Sequence, residues 1–243
     1  MSSQGGASIK MMKQGSETAL ENLVNQIAHD VRNHAFTMGL QAEMGIRRAG
    51  AAPEIKAHFE AVLRQVDALK HYLEQLLLFG RPIRLTLTSV DLVALLREQV
   101  QGLQSGWDPN AQAFEVRVET EGQLRRGLWD PRALSSAILP LLDNAVRSAT
   151  PPPPVCATVR CDDGGAVIEV RDAGQGIPPE VLAKLAVPMA VRRVGGAGLG
   201  LAIARKMVEA HGGRLDLSSD SSGTTARIVL PWEATTTSAR PEG

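Results

Sequence analysis

Aromatic side chains are scarce in this sequence: three Trp, one Tyr and four Phe, or 3% of 243 residues. Packing must therefore rest on Leu, Val, Ile and Ala, and a hydrophobic share of 44% is enough for a real core. Cysteine is nearly absent. Cys156 and Cys161 lie five apart in a predicted strand, on opposite faces, so they cannot pair within it. They read as reduced core thiols and fit a cytoplasmic protein. Excess charge is also missing, because 26 Lys and Arg balance 26 Asp and Glu. That removes the electrostatic argument for nucleic acid as the main partner. No apolar run approaches the roughly 18 residues of a membrane span, and the N-terminus lacks the apolar stretch of a signal peptide. The length suggests one to two domains.

What is present first is helical order. Leu20, Val24, Ile27, Val31, Ala35, Met38, Ala42 and Ile46 recur mostly three or four apart, which predicts a helix from near Ser16 to about Arg48. Residues 1–15 read as a loose tail. Gly50 and Pro53 mark a turn. Beyond it Ile55, Phe59, Val62, Val66, Leu69, Leu73 and Leu76 alternate steps of four and three, a heptad seam. Two helices and a short turn make a hairpin over residues 16–80. A lone hairpin cannot cover both seams, so a homodimeric four-helix bundle is expected. His29 stands two residues from both Ile27 and Val31, on roughly the opposite side from the stripe. Asp30 is beside it and Asn33 is one turn on, along the same face. It alone among the five histidines is outward-facing with an acid and an amide as neighbours.

Gly80-Arg81-Pro82 ends the hairpin, and residues 81–88 read as a hinge. Residues 89–232 change in texture. Helices are expected at 91–104, 131–149, 178–185 and 199–211, and strands at 114–119, 155–160, 166–171, 214–217 and 227–230. Helices with mainly antiparallel strands make an α+β sandwich, sheet on one side and helices on the other. Residues 233–243 read as a disordered tail.

Three stretches of this second part suit a nucleotide. Asn144 offers one amide oxygen to a metal that otherwise keeps water and phosphate ligands, and Arg147 is a charged phosphate donor. Asp172-Ala173-Gly174-Gln175-Gly176-Ile177-Pro178 follows a strand. Its carboxylate can accept from the amino group of adenine, where guanine presents an oxygen, and its glycines let the backbone approach a flat ligand. Gly195-Gly196-Ala197-Gly198-Leu199-Gly200-Leu201 opens a helix whose first amides and dipole suit an anion. Its spacing is neither that of a dinucleotide fingerprint nor that of a Walker loop.

His29-Asp30 with Asn33, then Leu141-Leu142-Asp143-Asn144-Ala145, then the two glycine boxes, in this order and at these separations, resemble the sensor histidine kinases of two-component systems. The resemblance covers about residues 16–232. It implies a dimerisation and histidine-phosphotransfer hairpin followed by an ATP-binding domain of the GHKL, or Bergerat, type. It implies ATP and Mg2+, with the metal on Asn144 and phosphate at Arg147. Asp172, Gly174, Gly176 and Ile177 form the first glycine box, and Gly196, Gly198, Leu199 and Gly200 the second. Thr224, in Gly223-Thr224-Thr225, resembles the motif closing the family's site. Arg192 and Arg193 stand in a short lid, Val191–Val194, and can reach phosphate. The implied reaction is autophosphorylation of His29 from Mg-ATP. Transfer follows to an aspartate of a response regulator receiver domain, with Asn33 orienting water for the reverse dephosphorylation. A separate sensor protein is an implied partner. Three departures stand out: Pro140 replaces a second Asn, Leu185–Ala190 lacks the usual Phe, and His34 replaces a Pro. They keep open a dimeric phosphotransfer protein with a degenerate ATP-like domain. An ATPase sharing only this domain would leave His29 unexplained.

Overall fold

The computed structural model describes residues 28–29, 31–48, 52–107, 113–148, 152–184 and 199–232. Both expected tails, the start of the first helix with Leu20, Val24 and Ile27, the turn at Gly50 and the segment 185–194 lie outside these residues. The chain divides between Pro82 and Ile83 into two compact units. Among the described residues no helix is long and apolar enough to cross a membrane.

In the first unit, residues 28–29 and 31–48 are helical (α1) and Pro53–Gly80 forms α2. Pro53 sits in the first turn of α2, where its missing N–H costs nothing. The two helices pack on each other. Ala28 lies against Leu73 and Leu77, with Val31 and Leu69 beside them. Gly39 faces Val66, and Gly45 seats the ring of Phe59. The buried stripe of α1 is thus small: Ala28, Ala35, Gly39 and Ala42. Met38, expected in that stripe, is exposed, as are Ile55 and Val62 of the α2 seam. Of the seam only Val66 and Leu73 are buried, with Phe59 and Leu69 packed beside them, and Leu77, outside the seam, is buried in place of Leu76. Small residues on α1 let its axis come close to α2, so the bulkier periodic positions turn away from the contact.

The second unit starts with a short pair, β1 (Thr88–Val90) antiparallel to β3 (Gly127–Trp129). Neither strand is visible as a sequence period, because three residues carry no alternation. Between them lie α3 (Leu92–Ser105), capped by the Asp91 carboxylate on the Val93 and Ala94 amides, and β2 (Val116–Glu121). Then come α4 (Pro131–Val146), β4 (Val155–Asp162), β5 (Gly165–Asp172), α5 (Pro179–Lys184), α6 (Gly200–Ala210), β6 (Arg214–Asp220) and β7 (Gly223–Leu230). The large sheet runs β2-β4-β5-β7-β6. Three of its pairs are antiparallel, but β2 and β4 are parallel, so the sheet is mixed.

Period two decides which side chains face the helices. Val155, Ala157 and Val159 of β4, Ala166, Ile168 and Val170 of β5, and Ala226, Ile228 and Leu230 of β7 are all buried. Against them lie Leu134, Ala137, Ile138, Leu141 and Leu142 of α4 and Ile203, Ala204, Met207 and Val208 of α6. The other face is charged. Glu169 and Arg227 are register partners there, with an ion pair of 2.7 Å. Cys156 points to that face, whereas Cys161 shares the helix-facing phase; both are free and half-buried, so the expectation of core thiols is corrected for Cys156.

A polar knot fixes the N-terminal end of α4. Asp130 accepts from the amides of Arg132 and Ala133 through one oxygen and from Thr86 through the other. His211, fully buried at the end of α6, bonds Met207 O at 2.7 Å through Nδ1 and the Asp130 amide at 3.0 Å through Nε2. A carbonyl only accepts and an amide only donates, so Nδ1 carries the proton and Nε2 is bare. Burial pushes Asp130 up, but the donors of Thr86, Ala133 and Arg132, with nearby His211, outweigh it and hold its carboxyl below the ordinary value. Burial pushes His211 down, against the opposing pull of Met207 and Asp130. A proton on Nε2 would face an N–H. The folded pKa of His211 lies below its unfolded value, so the unfolded chain takes the proton first as pH falls. Stability from this group is complete above about 6.5 and declines below it, by at most about 1.4 kcal/mol per pH unit. His211→Gln keeps a donor and an acceptor but does not titrate. Thermal melts from pH 7 to 5.5 should be flatter for this variant than for wild type, at a lower overall midpoint. Parallel slopes would remove His211 as their source.

Candidate functional site

The alternation that builds the core also delivers a charge to its edge. Ala166, Ile168, Val170 and Asp172 occupy the helix-facing phase of β5, so its last side chain is a carboxylate only 4% exposed. Thr224 is the register partner of Asp172 and shares the inward phase of Ala226 and Ile228. The two polar side chains stand side by side where the sheet ends. Asp172 Oδ1 accepts from the Gly174 amide at 2.8 Å. No described residue bonds the second oxygen.

The turn after β5 is tied to β6 and β7. The Ile177 amide donates to Ser219 Oγ at 2.7 Å, and Ser219 donates to Gly223 O at 3.0 Å. The proton of Ser219 is thereby used, so the Thr224 hydroxyl donates to Ser219 Oγ, 2.9 Å away. Gly176 has φ +71, and a Cβ there would overlap the carbonyl of Asp220. A Cβ on Gly174 would overlap the Ser148 hydroxyl and lie 2.7 Å from Asp172 Oδ1. Both glycines are required by space.

The C-terminal end of α4 overlooks this turn. Asn144 is exposed there. Arg147 is exposed, and its Nε meets Asp143 Oδ1 at 2.7 Å while its guanidinium lies 4.6 Å from the ring centre of Trp107. Ser148, the next residue, has a buried hydroxyl with no partner. Pro140 lies within α4, and a Cβ on Gly200 would lie 3.1 Å from its ring. The residue that interrupts the Asn pattern thus packs against the first residue of α6. Leu199 stands at the N-cap of α6 and is fully buried, and among the described residues no side chain caps that helix. Arg192, Arg193, Gly196 and Gly198 lie outside the described residues.

Among the described residues no three His, Cys, Asp or Glu side chains could together hold a metal. Asn144 supplies one oxygen on an exposed helix face. That fits a hard divalent cation carried mainly by phosphate and water, and not one held by protein ligands alone.

His29 is exposed on α1. Asn33 Nδ2 lies 3.3 Å from its Nδ1, one helical turn away. Asp30 lies outside the described residues. Exposure alone does not single out His29, since His34, His58 and His71 are exposed as well, and His71 meets Gln75 at the same spacing. Sequence reasoning passed over Ser148, Ser219, Asp143 and Trp107. Ser148 had no signal, because it stands just past the end of α4, where a serine is ordinarily solvated. Ser219 had none, because its role arises from pairing across 42 residues.

Residues 129–234 match the family described as histidine kinase-, DNA gyrase B- and HSP90-like ATPase. Similar curated proteins include the sensor histidine kinase ZraS of Escherichia coli K12, 28% identical over 223 residues covering 91% of this chain and 48% of ZraS. ZraS of Klebsiella oxytoca is 30% identical over 88% of this chain and 46% of its own. The chain spans about half the length of these relatives. Full-length ShkA, solved with AMPPNP, superposes with a TM-score of 0.72 at 23% identity over 88% of this chain and 46% of its own, a likeness of fold. The mycobacterial sensor histidine kinase MprB gives 0.52 at 27% identity, over 62% of this chain and all of the solved one. Over residues 129–234 the chain is therefore similar to the histidine kinase-, DNA gyrase B- and HSP90-like ATPase family, and over most of its length it is similar to curated sensor histidine kinases.

Proposed function

We propose that this chain is a histidine kinase that phosphorylates its own His29 from Mg-ATP and passes the phosphoryl group to an aspartate of a response regulator. The observation that carries the nucleotide half is the core-facing pair Asp172 and Thr224 at the open end of the sheet. A folding core has no use for a carboxylate there, whereas a purine amino group does. Ile177, Gly174 and Gly176 form the turn beside the base. The uncapped first turn of α6, with the glycine box before it, receives phosphate. Arg147 approaches phosphate by leaving Asp143, and Arg192 and Arg193 join it from the lid. Magnesium would neutralise phosphate charge when bound, and Asn144 would offer it the amide oxygen.

The transfer is chiefly positioning and charge neutralisation. A ring nitrogen of His29 that carries no proton attacks the γ-phosphorus. The N–P bond forms as the bond to the β,γ-bridging oxygen breaks, and ADP leaves. Asp30 takes or holds the ring proton. The hinge at residues 81–88 lets the ATP-binding part, residues 89–232, reach the hairpin.

Incubation with γ-labelled ATP tests this reading. Wild type should acquire an acid-labile label, and His29→Gln should acquire none while its nucleotide affinity stays within about twofold. Labelling that survives the substitution would reassign the acceptor.

Asn33 has a second task in the reading. Its bond to the His29 ring is long and exposed, worth at most about 1.5 kcal/mol, or roughly tenfold. Asn33→Ala should therefore slow self-phosphorylation by less than about tenfold. Regulator dephosphorylation, which needs a positioned water, should fall further. Equal losses in both rates would leave Asn33 only a helix-surface role.

Residues 16–80 are assigned to a homodimer. Phe36, Met38, Leu40 and Met44 of α1 and Ile55 and Val62 of α2 are all exposed, Phe36 at 65%. Such a density of apolar side chains on one helical pair supports a second copy as their cover. Light scattering should give twice the 25.9 kDa of one chain. Val62→Asp, at a position 44% exposed in the protomer, should halve that mass without loss of helicity. A monomeric wild type at micromolar concentration would end the assignment.

A further inference from the structure

Ser148 is the one described residue whose side-chain hydroxyl is buried with no hydrogen-bond partner. It follows Arg147, the residue that caps α4, and its own amide is satisfied by Ala145 O at 3.2 Å. A buried hydroxyl left unpaired destabilises a fold, and alanine would fill nearly the same space without that cost. The hydroxyl is also aimed. A Cβ built on Gly174 would run into it and would lie 2.7 Å from Asp172 Oδ1. The serine hydroxyl and the carboxylate thus lie close together on one side of Gly174, and only glycine at that position lets them approach.

These two groups have different chemistry. An ionised carboxylate only accepts, whereas a hydroxyl can donate. The ligand edge that matches them presents a donor next to an acceptor. A 6-aminopurine does so with its amino group and N1. Guanine has the reverse order, an oxygen at C6 and an N–H at N1, which would set an oxygen against Asp172 and an N–H against the serine. We propose that Ser148 is a specificity-determining residue that donates, directly or through one water, to N1 of the adenine whose amino group Asp172 accepts. The inference rests on the nucleotide reading above and adds a residue to it.

The test is calorimetric titration of the full chain with ATP and with 1-deaza-ATP, in which N1 is replaced by C–H. Wild type should prefer ATP by about tenfold, the effect of one well-placed hydrogen bond. In Ser148→Ala the preference should shrink below about twofold, through a loss of ATP affinity alone. The empty variant should melt no lower than wild type, since a merely structural serine would lower the melting point and leave the preference intact. Ser148→Cys, nearly isosteric and a weaker donor, should fall between the two, and it decides the matter if the alanine variant melts early. A preference that persists in Ser148→Ala, or an equal weakening of both nucleotides, overturns the role of Ser148. A wild type that binds both nucleotides equally does the same and leaves the ATP site standing. A wild type that binds neither overturns both readings.

Discussion

The buried carboxylate of Asp172 is the constraint on which the rest of the site depends. It sits at the last inward position of a strand whose other inward residues are apolar, so solvation cannot satisfy it. The surrounding sequence answers with geometry. The Gly174 amide takes one oxygen, Gly174 itself leaves no side chain over the carboxylate, and Gly176 turns the backbone through a left-handed φ beneath the carbonyl of Asp220. Ser219 then locks that turn to β7 by bonding Ile177, Gly223 and Thr224. Each feature is dispensable for a helix-on-sheet core and needed for a polar recess at its edge.

Helix α4 runs between two polar knots of opposite character. At its N-terminal end every group is satisfied: Asp130 takes three amides and both nitrogens of His211 are bonded. That end ties residue 86, α4 and the end of α6 into one piece. At its C-terminal end Ser148 has no partner, and one oxygen of Asp172 has none among the described residues. Saturated burial is how a fold spends polar groups on rigidity, and unsaturated burial marks where it meets something else. The pH response assigned to His211 therefore reports on folding, and not on the site.

Much of this was legible from the sequence, and the failures have physical causes. The helix over 131–146, the hairpin around Asp163-Gly164 and the placing of Asp172 at a strand end follow from strong periods and turn residues. Strands β1 and β3 were invisible because three residues cannot show alternation. The parallel register of β2 with β4 was missed because nothing local distinguishes it from an antiparallel one. Within the site, Asp172 and Gly174 could be read from their spacing. Ser148 needed the fold, since a serine after a helix is ordinarily a cap or a solvated end. The contacts of Arg147 with Asp143 and Trp107 were not legible, since the second depends on where α3 ends.

The hairpin teaches the subtlest point about periodicity. A heptad seam says that one stripe of a helix is buried, but not by which neighbour. On α1 the buried residues that face α2 are alanine and glycine, the smallest available, with Val31 half-buried beside them. Close approach gains dispersion contact from the backbones and leaves no room for Met38 or Phe36. On α2 the contact uses Val66 and Leu73 of the seam and Leu77 outside it, while Ile55 and Val62 of the seam stay exposed. Intramolecular packing has taken the part of the pattern that fits a tight pair, and the bulky remainder is arranged on the outside. A single helical pair in water would gain nothing from that arrangement, since each exposed apolar side chain forgoes on the order of 1.5–3 kcal/mol of burial. The choice of small residues inward and large ones outward is what the proposed homodimer would explain. It is written in residue size, where hydrophobic period alone is silent.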